Sequence, residues 1–152
     1  MKNFKIKPAS ANSVEIKILT DELHKELELI YRKGIIEEFI DENEQMLIFY
    51  VAQDESGNAA ACGALKHFDD QTAEIKRMYV KSEHRGRGLS KIILSELEAK
   101  AKELNYNRLV LETGLKQPEA MSLYNKFGYK PLKCYGKHAD DPDSRCFEKF
   151  IY

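Results

Sequence analysis

Glu74-Ile75-Lys76-Arg77-Met78-Tyr79-Val80 mixes β-branched, aromatic and alternating charged side chains in the manner of a half-buried strand. Lys81-Ser82-Glu83-His84 then breaks the pattern, and Arg85-Gly86-Arg87-Gly88-Leu89-Ser90-Lys91 leads into apolar positions at Leu89, Ile92, Ile93, Leu97, Ala101 and Leu104. That spacing is helical and ends at the turn-forming Asn105. Gly86 and Gly88 therefore fall where a strand hands over to a helix N-terminus.

The first amides of a helix have no partner inside it, and the helix dipole adds partial positive charge at the same end. Glycines let the backbone approach an anion without a Cβ in the way, and Arg85, Arg87 and Lys91 add full positive charges. The chemistry suits a phosphate or pyrophosphate; the plain alternative is a glycine-rich turn with solvated arginines. A P-loop is excluded, because Gly88-Leu89-Ser90 lacks the Gly-Lys-Ser/Thr ending that reaches phosphate and magnesium. A dinucleotide fingerprint is disfavoured, because Lys91 stands where its third glycine belongs, although Glu112 could mimic a ribose-binding acid.

Arg85-Gly86-Arg87-Gly88-Leu89-Ser90 resembles the Arg/Gln-x-x-Gly-x-Gly/Ala signature of the GNAT superfamily of acyl-CoA-dependent N-acetyltransferases. Ser90 departs from it, replacing the usual Gly or Ala with a small residue that adds a hydroxyl. A second resemblance lies in Glu119-Ala120-Met121-Ser122-Leu123-Tyr124-Asn125-Lys126-Phe127-Gly128-Tyr129, similar to the family's alanine, leucine-tyrosine and glycine-aromatic helix and turn. Two motifs in the right order are more specific than either alone. The resemblance covers Met46 to the C-terminus well and the N-terminal third only by pattern.

The chain has 152 residues, 43% of them hydrophobic and 32% charged, the composition of one soluble domain with a sizeable core. Its 24 basic and 25 acidic side chains nearly cancel, so no chain-wide field favours nucleic acid or a membrane surface. No signal-peptide core or membrane-length apolar run is present, which leads to an expectation of a cytoplasmic protein. Cys62, Cys134 and Cys146 lack Cys-x-x-Cys spacing or a His pair, so no metal site is expected. Three free buried thiols are expected; Cys134 and Cys146 flank a turn-rich segment, but a reducing compartment would keep them from bonding. No His or acid is placed by sequence to activate a cysteine nucleophile.

Taken in order, Val14, Ile16 and Ile18 alternate with Glu15 and Lys17 as a first strand would. Thr20-Asp21-Glu22-Leu23 reads as a cap and acidic first turn for a helix with Leu23, Leu27, Ile30 and Tyr31 as its apolar stripe, ended by Gly34. Ile35 to Ile40 suits a short second helix. Strands follow at Met46–Ala52, Ala59–Leu65 and Thr72–Val80, joined by turns at Asp54–Asn58 and Lys66–Gln71. Small residues from Ala59 to Ala64 suggest close packing from a neighbour. A helix from Leu89 to Leu104, a strand from Arg108 to Glu112 and a helix from Pro118 to Phe127 come next, Gly128 closing the last. Two final strands, Tyr129–Tyr135 and Arg145–Ile151, flank the loop from Gly136 to Ser144. The expected fold class is α/β (α+β): residues 1–152 as a single domain, with a mixed, mainly antiparallel sheet of six to seven strands and helices on both faces.

The resemblance implies transfer of acetyl from acetyl-CoA to a primary amine of a small molecule, such as an amino acid or polyamine, by direct attack in a ternary complex. It assigns the cofactor to Met78, Tyr79 and Val80 along the strand edge and to the turn from Arg85 through Gly86, Arg87, Gly88, Leu89 and Ser90 to Lys91. It also implies a backbone amide near Tyr79 or Val80 for the oxyanion. At neutral pH well under roughly 1% of an alkyl amine is unprotonated, so a base is needed. Glu74 is the family-matching position, Glu112 the second candidate; an ordinary ion pair between Glu74 and Lys76 is the structural alternative. Tyr124 is the group implied to face the departing thiolate. Lys116, Lys133, Lys137 and His138 lie near the expected cleft and would favour an acceptor carrying a carboxylate, though they suit solvated surface as well. A non-catalytic acyl-CoA sensor and a protein lysine acetyltransferase are the competing readings. Assembly as a homodimer stays open.

Overall fold

The computed structural model describes residues 3–31 and 46–152. In chain order the elements are β1 (Lys5–Ala9), α1 (Val14–Tyr31), β2 (Met46–Gln53), β3 (Ala59–His67), β4 (Thr72–Val80), α2 (Leu89–Glu103), β5 (Arg108–Gly114), α3 (Pro118–Lys126), β6 (Lys130–Leu132) and β7 (Ser144–Phe150). Single 3₁₀ turns lie at Ser82–His84 and Gly136–His138. The seven strands form one sheet in the order β1-β2-β3-β4-β5-β7-β6. Every neighbouring pair is antiparallel except β4 with β5.

The α/β fold with a mixed sheet and helices on both faces agrees with the sequence expectation. On one face α1 lays Ile16 and Leu19 against Phe49, Val51, Cys62 and Ala64. On the other, α2 lays Leu89, Ile93, Leu94, Leu97 and Ala101 against Tyr50, Ala52, Ala61 and Leu65. Because both faces of β2 are covered, its sequence runs continuously apolar instead of alternating. The α2 stripe differs in detail: Ile92 is exposed, and Leu94 takes the inward place.

The N-terminal third corrects the sequence reading. Val14 to Ile18 is the start of α1 and not a strand. The inward residues are Ile16, Leu19 and Leu23, a helical spacing, while Val14 and Ile18 face outward. The cap is Ser13, whose hydroxyl accepts the amide of Ile16 at 3.3 Å. Thr20 lies inside the helix and donates its hydroxyl to the Ile16 carbonyl at 2.8 Å. The first strand is Lys5–Ala9 instead, paired to β2 from Lys5↔Gln53 to Ala9↔Phe49; as an edge strand it tolerates Pro8. Gly34 and the expected helix at Ile35 to Ile40 lie outside the described residues.

The cysteines are a second correction. Cys134 and Cys146 form a disulfide, with Cα atoms 5.1 Å apart. The cause is register: β6 pairs Leu132 with Cys146, so the chain leaving β6 passes beside that residue on β7. Cys62 is free and buried, and burial pushes its thiol pKa up to about 12, which makes it unreactive. The expected strand Tyr129–Tyr135 shrinks to Lys130–Leu132.

The small residues of β3 do mark close packing. A Cβ on Gly63 would come within 2.6 Å of both Ile93 Cγ2 and Met78 Sδ. Gly63→Ala is therefore expected to lower stability by about 1–3 kcal/mol through overpacking, read as a lower urea midpoint at unchanged slope.

Candidate active site

The parallel pair at the centre of the sheet does not stay together. β4 and β5 pair only from Thr72↔Arg108 to Ile75↔Leu111. Beyond that point β5 follows β7, through Glu112↔Cys146 to Gly114↔Ser144, while β4 stays with β3. The register between β3 and β4 jumps from Ala64↔Lys76 to Cys62↔Tyr79, so Arg77 and Met78 together oppose Gly63. This is a β-bulge, and Arg77 at φ 56° marks the bend. Among the described residues no strand pairs with β4 from Lys76 to Val80 on the side facing β5. The result is a cleft of about 570 Å³ with an open strand edge for one wall.

Met78, Tyr79 and Val80 line that cleft, as do Arg85, Gly86, Gly88, Leu89, Ser90 and Lys91 at the head of α2. Arg87 is exposed and does not line it. Gly86 and Gly88 adopt φ of 79° and 77°, a left-handed conformation that side chains with a Cβ resist. His84 is buried and lines the cleft, and its Nδ1 has no hydrogen-bond partner among the described residues. Helix-head amides and left-handed glycines fit an anionic group at this end. Arg85 is braced: its Nε donates to the Val80 carbonyl at 2.9 Å and its Nη2 to Glu26 of α1 at 2.8 Å.

The opposite end of the cleft holds the acids and the phenol. Tyr124, on α3, is 5% exposed and lines the cleft. Its ring packs edge-on against Tyr129, with centroids 5.6 Å apart. Burial, and then the charge of Glu112, push its pKa up, so the phenol stays protonated at neutral pH.

The two candidate carboxylates have different surroundings. Glu74 is buried, accepts the Tyr135 hydroxyl at 2.7 Å and lies 3.8 Å from Lys76 Nζ, the ion pair the strand spacing allowed. It is not among the residues lining the cleft. Glu112 does line it, accepts the Ser144 hydroxyl at 2.7 Å and stands 3.8 Å from His138 Nδ1. Lys116 and His138 also reach the cleft, whereas Lys133 and Lys137 are exposed and do not. Gln117 completes this end by donating to the Tyr31 hydroxyl at 3.2 Å, which ties the end of α1 to the start of α3. Gly114 makes room for that contact, since a Cβ there would fall on the Tyr31 hydroxyl. Among the described residues no cluster of His, Cys, Asp or Glu could hold a metal ion, and no helix is long and apolar enough to cross a membrane.

A mixed sheet that parts at its one parallel pair leaves a cleft with a glycine turn at one end and a buried phenol at the other. The chain belongs to the GNAT acetyltransferase family, which it matches over residues 15–129. It is 35% identical over 92 residues to the uncharacterized N-acetyltransferase YsnE of Bacillus subtilis, a match covering 59% of this chain and 61% of that protein. The chain thus spans about three fifths of that curated relative. A putative acyl-CoA N-acyltransferase from Klebsiella pneumoniae superposes with a TM-score of 0.84 at 27% identity, over 98% of each chain. A GNAT family acetyltransferase from Elizabethkingia anophelis with acetyl-CoA bound superposes with a TM-score of 0.76 at 21% identity, over 98% of this chain and 99% of that one.

Proposed function

We propose that this chain transfers the acetyl group of acetyl-CoA to a primary amine of a small molecule by direct attack within a ternary complex. The observation that carries the reading is the open edge of β4 between the Gly86–Ser90 turn and the Tyr124 phenol. An extended pantetheine arm can add to that edge as a further strand would, through main-chain hydrogen bonds. Its thioester then lies at the end of the cleft where Tyr124 and Glu112 are found, and its diphosphate at the head of α2. The solved relative holding acetyl-CoA supports the choice of donor.

In the reaction the amine nitrogen bonds to the thioester carbonyl carbon, the carbonyl oxygen gains charge beside the amides near Tyr79 or Val80, and the C–S bond breaks. Tyr124 donates a hydrogen bond to the sulfur as it becomes a thiolate. Proton removal from the amine falls to the Glu112 end of the cleft rather than to Glu74, because Tyr135 and Lys76 already engage Glu74. Lys116, Lys76 and Arg77 line the same cleft and favour an acceptor that carries a carboxylate, such as an amino acid.

Release of CoA, read with a thiol reagent across amino acids, polyamines and aminoglycosides, tests the reading. Turnover on one class, fastest with carboxylate-bearing amines, is the expected result. Tight acetyl-CoA binding without turnover on any amine would identify a sensor module instead. Arg85→Glu should weaken acetyl-CoA binding by about tenfold and Arg87→Glu by about threefold, with Glu74→Ala nearly unchanged. The reverse order in calorimetry would mean that the glycine turn binds no diphosphate.

A further inference from the structure

The loop between β6 and β7 carries two side chains into the acidic end of the sheet, neither of them assigned a catalytic role above. Tyr135 goes to Glu74, and His138, from the 3₁₀ turn Gly136–His138, goes to Glu112. His138 is 7% exposed, yet it lines the cleft. Its Nδ1 faces Glu112 Oε2 at 3.8 Å, and Tyr135 packs edge-on against its ring, with centroids 6.3 Å apart. Ser144 fixes the same Glu112 oxygen, and the Cys134–Cys146 disulfide ties the start of the loop to β7 directly across from Glu112. An imidazole held in a tethered loop, with one nitrogen facing a carboxylate, has the arrangement of an oriented base.

We infer that His138 is the group that takes the proton from the acceptor ammonium, and that Glu112 is the positioning residue holding its Nδ1–H inward so that Nε2 meets the amine. This rests on the acetyltransferase reading above. One ammonium proton passes to His138 Nε2 and leaves to solvent after turnover. The freed amine lone pair forms the C–N bond; the nitrogen then loses its second proton, which goes to the sulfur as the C–S bond breaks. The products are the amide, CoA thiol and one released proton, so the step balances without a further reactant. The groups facing His138 are Glu112 from β5 and Tyr135 from its own loop, while Tyr124 from α3 and Lys116 line the same cleft.

The test uses the full chain and the amine that the wild type acetylates fastest. His138→Gln is expected to lower kcat by about thirtyfold or more, leave acetyl-CoA affinity by calorimetry within about twofold, and abolish the acidic limb of the kcat/KM pH profile. Imidazole added to His138→Ala is expected to restore part of the lost rate, which no structural role would allow. Glu112→Gln, which leaves the imidazole in place but no longer orients it, is expected to lower kcat by about tenfold with acetyl-CoA affinity within about twofold. Wild-type turnover combined with an unchanged limb in His138→Gln overturns this assignment and leaves the acetyltransferase reading standing. Absence of wild-type turnover on every amine overturns both.

Discussion

Tyr124→Phe is expected to lower kcat by about tenfold to a hundredfold while acetyl-CoA affinity stays within about a factor of two. The substitution removes one oxygen and keeps the ring, so the packing against Tyr129 and Phe147 survives and the fold should not respond. Reference pKa values of ~10 for a phenol and ~8.5 for a thiol already put full proton transfer to a free thiolate uphill by about 2 kcal/mol. Burial and the nearby Glu112 charge raise the Tyr124 pKa further, which makes outright transfer still less favourable. In the proposed mechanism the hydroxyl therefore acts as a hydrogen-bond donor to developing charge on sulfur, an interaction stronger in the transition state than in the bound thioester. That is why the effect belongs in kcat. The direction of the shift also says that no alkaline limb below about pH 10 arises from this phenol. Single-turnover rates for wild type and variant, with affinities from calorimetry, check the split; an unchanged rate would remove Tyr124 from the chemistry.

What the sequence made legible was whatever depends on local backbone chemistry. Gly86 and Gly88 could be read because a left-handed turn at a helix head requires them, and the meander from Met46 to Val80 because its turns carry their own signals. The N-terminal third misled because Val14 to Ile18 satisfies two periods at once. Only packing, with Ile16, Leu19 and Leu23 inward, selects the helix. The resemblance put Glu74 ahead of Glu112 as the base, but both sit on strands with suitable neighbours and nothing local in the sequence separates them. What separates them is a loop more than twenty residues away in sequence, which delivers Tyr135 to one and His138 to the other. The same β5–β7–β6 register, invisible without the sheet, brings Cys134 to Cys146.

Gly88→Asp is expected to weaken acetyl-CoA binding by about a hundredfold, the largest effect on affinity of any single change at this site. Asp and Asn tolerate the left-handed conformation better than other residues with a Cβ, and the strain that φ of 77° imposes is common to both variants. Among the described residues no atom lies within 4 Å of a Cβ built there, so no clash adds to that strain. The charge is what matters. A carboxylate a few ångströms from a diphosphate at a partly exposed surface costs about 3 kcal/mol, which corresponds to about a hundredfold in Kd. Gly88→Asn places nearly the same atoms there without the charge and is expected to lose about tenfold or less. Acetyl-pantetheine, which has no diphosphate, supplies the internal control: its kcat/KM should be the same for wild type and Gly88→Asp. If calorimetry finds acetyl-CoA bound equally by both proteins, the head of α2 is not where the diphosphate rests. If instead the Asp variant loses acetyl-pantetheine turnover in parallel, the substitution has disturbed the strand edge and not the anion site.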